Sequence, residues 1–163
     1  MKNKLACFSV LFVVLSLLLS GCSSEDPYMK GMPKYESAEK CFNAGLENYF
    51  NYCKYFYTEE SVKSFKTHKK FKEVTAESIE SVLDYFYDFA YWQIGGPYEN
   101  SYDFDVSVVK EGDYFYIVDN TGVTVGNGLL GEYNEFESYN VYYVDMESCI
   151  LYFIHSNILG FEV

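Results

Sequence analysis

The feature that most constrains this chain is a change of hydrophobic period on either side of Gly95-Gly96-Pro97. Before that break, apolar side chains recur at helical spacing. After it, from Tyr102, they alternate: Phe104, Val106 and Val108 are apolar, while Asp103, Asp105 and Ser107 are polar. A period of 3.6 marks an amphipathic helix and a period of two marks a half-buried strand. Helices first and strands second imply an α+β domain with helices on an antiparallel sheet.

Residues 36–57 place Ala38, Phe42, Leu46, Tyr49, Cys53 and Phe56 on one side of a helical wheel, and Glu36, Lys40, Glu47, Asn51 and Lys54 on the other. This pattern predicts a first helix. Thr58 followed by Glu59 and Glu60 is a helix-start signal, predicting a short helix to about Phe65. Thr75 is the expected cap of a third helix over 76–92, with Ile79, Val82, Leu83, Phe86, Phe89 and Ala90 as its apolar face.

A strand over Phe104–Val108 is expected to return through Lys110-Glu111-Gly112-Asp113 into Tyr114–Asp119. A second hairpin is expected from Tyr139–Asp145 and Cys149–His155 around Met146-Glu147-Ser148. Another short strand fits near Val123–Val125. The fold class is therefore α+β, with two to three N-terminal helices packed on a C-terminal antiparallel sheet of four to five strands. In layout, this order is similar to cystatin-like or nuclear-transport-factor-like half-barrels.

Upstream, Lys2 and Lys4 precede an apolar run, Leu5–Leu19, that ends in Leu19-Ser20-Gly21-Cys22. The run is shorter than the roughly 20 residues that span a bilayer as a helix. A charged start, apolar stretch and small-residue end make a secretory signal. Leu-Ser-Gly directly before a cysteine resembles the lipobox of bacterial lipoproteins. That resemblance implies that residues 1–21 are removed and that Cys22 carries lipid. Residues 22–34, with Pro27, Gly31 and Pro33, would then be a tether, and residues 35–163 a single domain. The expected location is the extracytoplasmic side of the cell membrane, reached through a covalent lipid.

From Cys22 onward the chain has 10 Lys, no Arg and 24 acids, a formal charge of −14. Residues 23–72 hold 9 Lys against 7 acids, and residues 73–163 hold 1 Lys against 17 acids. Such an excess repels phosphate backbones, and without Arg there is no bidentate grip, so a nucleic-acid partner is not expected.

Candidate chemistry is sparse. Gly126-Asn127-Gly128-Leu129-Leu130-Gly131 spells G-x-G-x-x-G, but no βαβ unit surrounds it and acidic residues follow, so it reads as a loop with no nucleotide. Glu77, Glu80, Asp84 and Asp88 form a ridge on the third helix. Like charges four residues apart cost a few tenths of a kcal/mol. Lys63, Lys66, Lys69, Lys70 and Lys72 offer either a local counter-charge or a basic face for an anionic membrane. Asp103, Asp105, Asp113 and Asp119 do not make a calcium loop, and no metal or cofactor is expected.

Cys41 and Cys53, on one helix, would lie about 18 Å apart, beyond the roughly 7 Å limit for a bridge. That leaves only a bridge to Cys149 open, and buried thiols are the plainer reading. Cys149 and His155 on one strand are roughly 20 Å apart, too far to act as a nucleophile pair.

Eighteen tyrosines are the compositional outlier. In the second hairpin one face would carry Val141, Tyr143, Ile150, Tyr152 and Ile154. The other would carry Tyr142, Val144, Leu151, Phe153 and His155. Helices cover one face; the other must meet a partner, a loop or water. Tyr142, Val144, Leu151 and Phe153, with Lys66, Lys69 and Lys70, are therefore the candidate interaction surface. The functional expectation is a membrane-anchored, non-catalytic binding domain with a protein or cell-wall glycan partner. The alternative is a small surface hydrolase using carboxylates. A two-lobed solute receptor would need a longer chain.

Overall fold

The protein is described here from a computed structural model covering residues 26–44, 49–120, 125–128, 131–133 and 136–159. The chain divides into two compact units, 1–32 and 33–163. Of the first, Pro27–Met29 form a short 3-10 turn, capped where the Asp26 carboxylate accepts from the Tyr28 amide at 3.1 Å. Cys22 lies outside the described residues.

The second unit is built on strands β1 (Ser37–Ala44), β2 (Tyr49–Phe56), β3 (Lys72–Glu73), β4 (Tyr114–Asp119), β7 (Phe136–Asp145) and β8 (Ile150–Leu159). They form one six-stranded sheet in the order β1-β2-β8-β7-β4-β3, with every pairing antiparallel. Strands β5 (Val125–Gly128) and β6 (Gly131–Tyr133) make a separate two-stranded ribbon. Among the described residues, two α-helices complete the unit: α1 (Glu59–Val62), continued by a 3-10 turn Lys63–Thr67, and α2 (Ile79–Gln93). The fold class is α+β, as expected.

The expected first helix over 36–57 is instead the β1–β2 hairpin, so the sheet gains two strands and the helices do not lead the chain. The likeness in layout to the two half-barrel types, which rested on helices preceding strands, goes with it. The reason is burial on both sides. Five of the eight residues of Tyr49–Phe56 are aromatic, a type that favours strands and loses rotamer freedom in helices. Tyr52, Cys53 and Tyr55 are all fully buried. A strand covered on both faces reads as a near-continuous apolar run, which shows no period of two.

Opposed residues share a face, so register assigns the sides of the sheet. Tyr52, Ile154, Val141 and Ile117 lie on one side. Helix α2 covers it, burying Val82, Phe86 and Phe89 against Tyr52, Tyr139, Val141, Tyr143 and Ile154. Tyr55, Leu151, Val144 and Cys53, Phe153, Tyr142 lie on the other. There Phe65 and Phe71 stack edge to face at 4.7 Å, and Phe71 reaches Tyr116 and Tyr142 at 5.8 and 6.4 Å. Two cores therefore share one sheet.

The expected strand over Phe104–Val108 is absent: Val106–Val108 form a 3-10 turn capped by the Asp105 carboxylate on the Ser107 amide at 2.9 Å. Phe104 stacks on Phe86 at 3.9 Å and 13°. The Asp103 carboxylate accepts from the Tyr52 hydroxyl at 2.9 Å and from Lys54. Those contacts carry the segment across the face of the sheet, so its alternation comes from packing without a partner strand. Strand β4 pairs with β7 and β3 instead.

Candidate functional site

Helix α2 is fixed by polar contacts as well as by its core. The Tyr139 hydroxyl of β7 donates to Asp88 at 2.7 Å, and Tyr85 of the helix donates to Asp119 at the end of β4 at 2.6 Å. Burial, with Asp119 as acceptor, pushes the Tyr85 hydroxyl up to about 12. The Tyr102 hydroxyl donates to the Phe86 carbonyl at 3.2 Å. With one side of the helix held, the other is left outward.

That outer side carries the largest exposed apolar residues among the described ones. Tyr87 is 53% exposed, Tyr91 68%, Trp92 39% and Ile94 70%. Tyr87 and Tyr91 are spaced i, i+4 in one row along the helix, Ile94 follows as the extended C-cap residue, and the Trp92 ring sits 5.9 Å from Tyr91. Exposed Asp84 lies one turn before Tyr87 and Asp88. Sequence reasoning assigned this helix its buried face and its acidic ridge but missed the row. The signal was present: three aromatic residues at 87, 91 and 92 fall outside the buried stripe.

Of the residues expected to form an interaction surface, Tyr142, Val144, Leu151 and Phe153 are buried, at 5% exposure or less. The segment that follows β2, with Phe65 and Phe71, closes over them, so they do not form a surface here. A covering loop was one of the three outcomes open for that face, and the chain supplies it. Lys66, Lys69 and Lys70 are exposed on that same segment, Lys70 resting 5.5 Å over the Tyr116 ring. Among the described residues, no ion pair joins Lys63–Lys72 to the ridge of Glu77, Glu80, Asp84 and Asp88. Lys66, Lys69 and Lys70 belong to the segment over the Phe65–Phe71 side of the sheet and the ridge to the α2 side, while Lys72 opposes Phe115 on the α2 side.

The remaining candidates have structural partners. The glycines at 126, 128 and 131 lie on the β5–β6 ribbon rather than at a helix start, while Leu129 and Leu130 fall outside the described residues. Asp145 accepts from the Glu147 and Ser148 amides at 3.0 and 3.3 Å and so shapes the β7–β8 turn. Cys41, Cys53 and Cys149 are free thiols. Cys53 is fully buried in the sheet and donates to the Asn51 side chain at 3.2 Å. Burial raises the Cys41 thiol to about 11, against the opposing pull of Lys54, and also raises Cys149. Neither is poised as a nucleophile, because the thiolate is the reactive form. The His155 ring nitrogen Nδ1 pairs with the Asn140 side chain at 2.8 Å, and burial lowers its pKa.

Two clefts lie near the lysine segment. One of about 280 Å³ is lined by Glu59, Val62, Lys63, Lys66, Met146, Glu147 and Cys149. The other, about 270 Å³, is lined by Lys70, Lys72, Phe115, Tyr116 and Ile117. Both fall just below the roughly 300–1,000 Å³ of ordinary small-molecule sites. No group of three or more metal-ligating side chains is found among the described residues, and no described helix is long and apolar enough to cross a membrane. No family model matches the chain, and no curated protein or solved structure is similar to it.

Proposed function

We propose that this protein is a lipid-anchored binding domain, held through Cys22 on the extracytoplasmic side of the membrane. It would present the outer row of α2 to a protein partner. The exposed row of Tyr87, Tyr91, Trp92 and Ile94 on a helix clamped by Tyr139 and Tyr85 carries the reading. Tyr and Trp dominate binding hot spots because they offer large area with few rotatable bonds. A helical pair spaced i, i+4, extended by the apolar residue at the helix end, fits an apolar groove. Asp84 and Glu80 beside it call for a basic rim on the partner. A cell-wall glycan is the second ligand such rings and carboxylates can take.

The test places a photo-crosslinking residue at position 91 or 94 in the native envelope, with position 111 as an exposed control. Protein adducts at 91 and 94 that are absent at 111 support the reading. Retention on isolated wall material, abolished by Tyr91→Ala, would reassign the row to glycan. The absence of both adducts and retention defeats the proposal.

A further inference from the structure

The lysine segment and the point where the chain enters the domain lie together. The Tyr57 hydroxyl donates to the Pro33 carbonyl at 3.3 Å, and Ser61 in α1 donates to the Lys34 carbonyl at 2.9 Å. Lys63 and Lys66 follow Ser61 within five residues, and Lys69 and Lys70 continue the same exposed stretch. Between 63 and 72 there are five lysines and no acid. Glu59, Glu60 and Glu73 border the stretch, and Glu147 sits on the rim of the cleft shared with Lys63 and Lys66. Burial of Phe65 and Phe71 beneath the segment fixes its backbone, so the ammonium groups are held outward.

Pro33 lies eleven residue steps along the chain from Cys22. Fully extended they reach at most about 40 Å, at 3.3–3.6 Å per residue. We infer that the Lys63–Lys70 face, beside the tether's entry, is the surface that rests on anionic lipid headgroups. The acidic, aromatic outer side of α2, across the sheet, then faces away from the membrane. Attraction of this kind is short-ranged, fading over about 8 Å at physiological salt and 3 Å at 1 M. The inference rests on the anchored reading only in that something must hold the chain at a membrane.

The experiment uses the full chain on vesicles of zwitterionic lipid, with or without anionic phosphatidylglycerol. Exposed lysines are acylated with a polar, membrane-impermeant reagent and read by peptide mass. Lys66, Lys69 and Lys70 should label several-fold more slowly on anionic vesicles, with full rates restored by 1 M salt. A lysine introduced as Asp84→Lys, on the opposite side, should label equally on both. In the Lys66→Gln, Lys69→Gln, Lys70→Gln variant, Lys63 should lose its lipid-dependent protection.

Equal labelling of the native lysines on both vesicles overturns the inference, as does protection of Asp84→Lys in their place. Protection by soluble polyphosphate with none by vesicles also overturns it, and points to an anionic polymer. The readout works whether acylated Cys22 or the uncleaved run Leu5–Leu19 holds the chain. Failure of the anchor is read separately, from the mass of the N-terminal peptide.

Discussion

The Tyr143 hydroxyl has one proton and two acceptors. It lies 2.8 Å from the Val108 carbonyl and also contacts the buried Asp113 carboxyl, which accepts the Met146 amide at 2.9 Å. The hydroxyl is the donor in both contacts, its one proton shared between the Val108 carbonyl and the Asp113 carboxylate. Burial, first, and the nearby Asp145 raise the Asp113 pKa; Tyr143, the Met146 amide and Lys110 oppose this. A carboxyl with a raised folded-state pKa contributes stability that is fully present below its unfolded value. That contribution is lost as pH rises through the folded one.

Asp113→Asn should remove the buried charge while its side-chain oxygen still accepts from the Met146 amide. As pH rises from the ordinary carboxylate range through neutrality, wild type should lose stability relative to the variant. At neutral pH the variant should match or exceed wild type by about 1 kcal/mol, the worth of one hydrogen bond. Urea unfolding across that range measures it. A variant weaker by the same amount at every pH would mean that Asp113 is ionised throughout.

Among the elements, those with one buried face were legible and those with two were not. Helix α2 exposes a clear side, and its buried Val82, Phe86 and Phe89 follow the helical wheel. The β7–β8 hairpin was marked by its turn residues, and register bears out both of its expected faces. Strand β2 lies centrally between two cores, and its pattern imitates a helix. Cys53 proves buried for a different reason than the wheel gave: it points into the sheet's second core. The outward row on α2 shows in sequence only as aromatics left over after the buried stripe is assigned.

The two sides of α2 should differ sharply on truncation. Phe86, fully buried against Phe104 and edge-on to Tyr143 at 6.2 Å, should cost roughly 3–5 kcal/mol as Phe86→Ala. Tyr91→Ala, at 68% exposure, should stay within about 0.5 kcal/mol. Thermal unfolding of both variants decides the matter. A large loss from Tyr91→Ala would mean the row supports the fold and is not free for a partner.

At the scale of the whole molecule, the sheet separates a basic face from an acidic, aromatic one, and only an anchor gives that polarity a direction. Composition showed the lysines and acids segregating along the chain. Which sides of a sheet they occupy depends on long-range pairing, which periodicity does not report. The anchor is the opposite case, since its signal is contiguous: Lys2 and Lys4, the run Leu5–Leu19, then Ser20-Gly21-Cys22. Lipid on Cys22 would supply stable attachment, because two or more acyl chains hold a protein where one holds it marginally, at roughly 0.8 kcal/mol per buried methylene. Cys22→Ala removes the thiol that takes the lipid without altering the export signal. The variant should accumulate as an uncleaved precursor, and labelled fatty acid, incorporated by wild type, should be absent from it. If the variant still incorporates label, or is still cut at Gly21, Cys22 is not the anchor and the direction given to the two faces loses its basis.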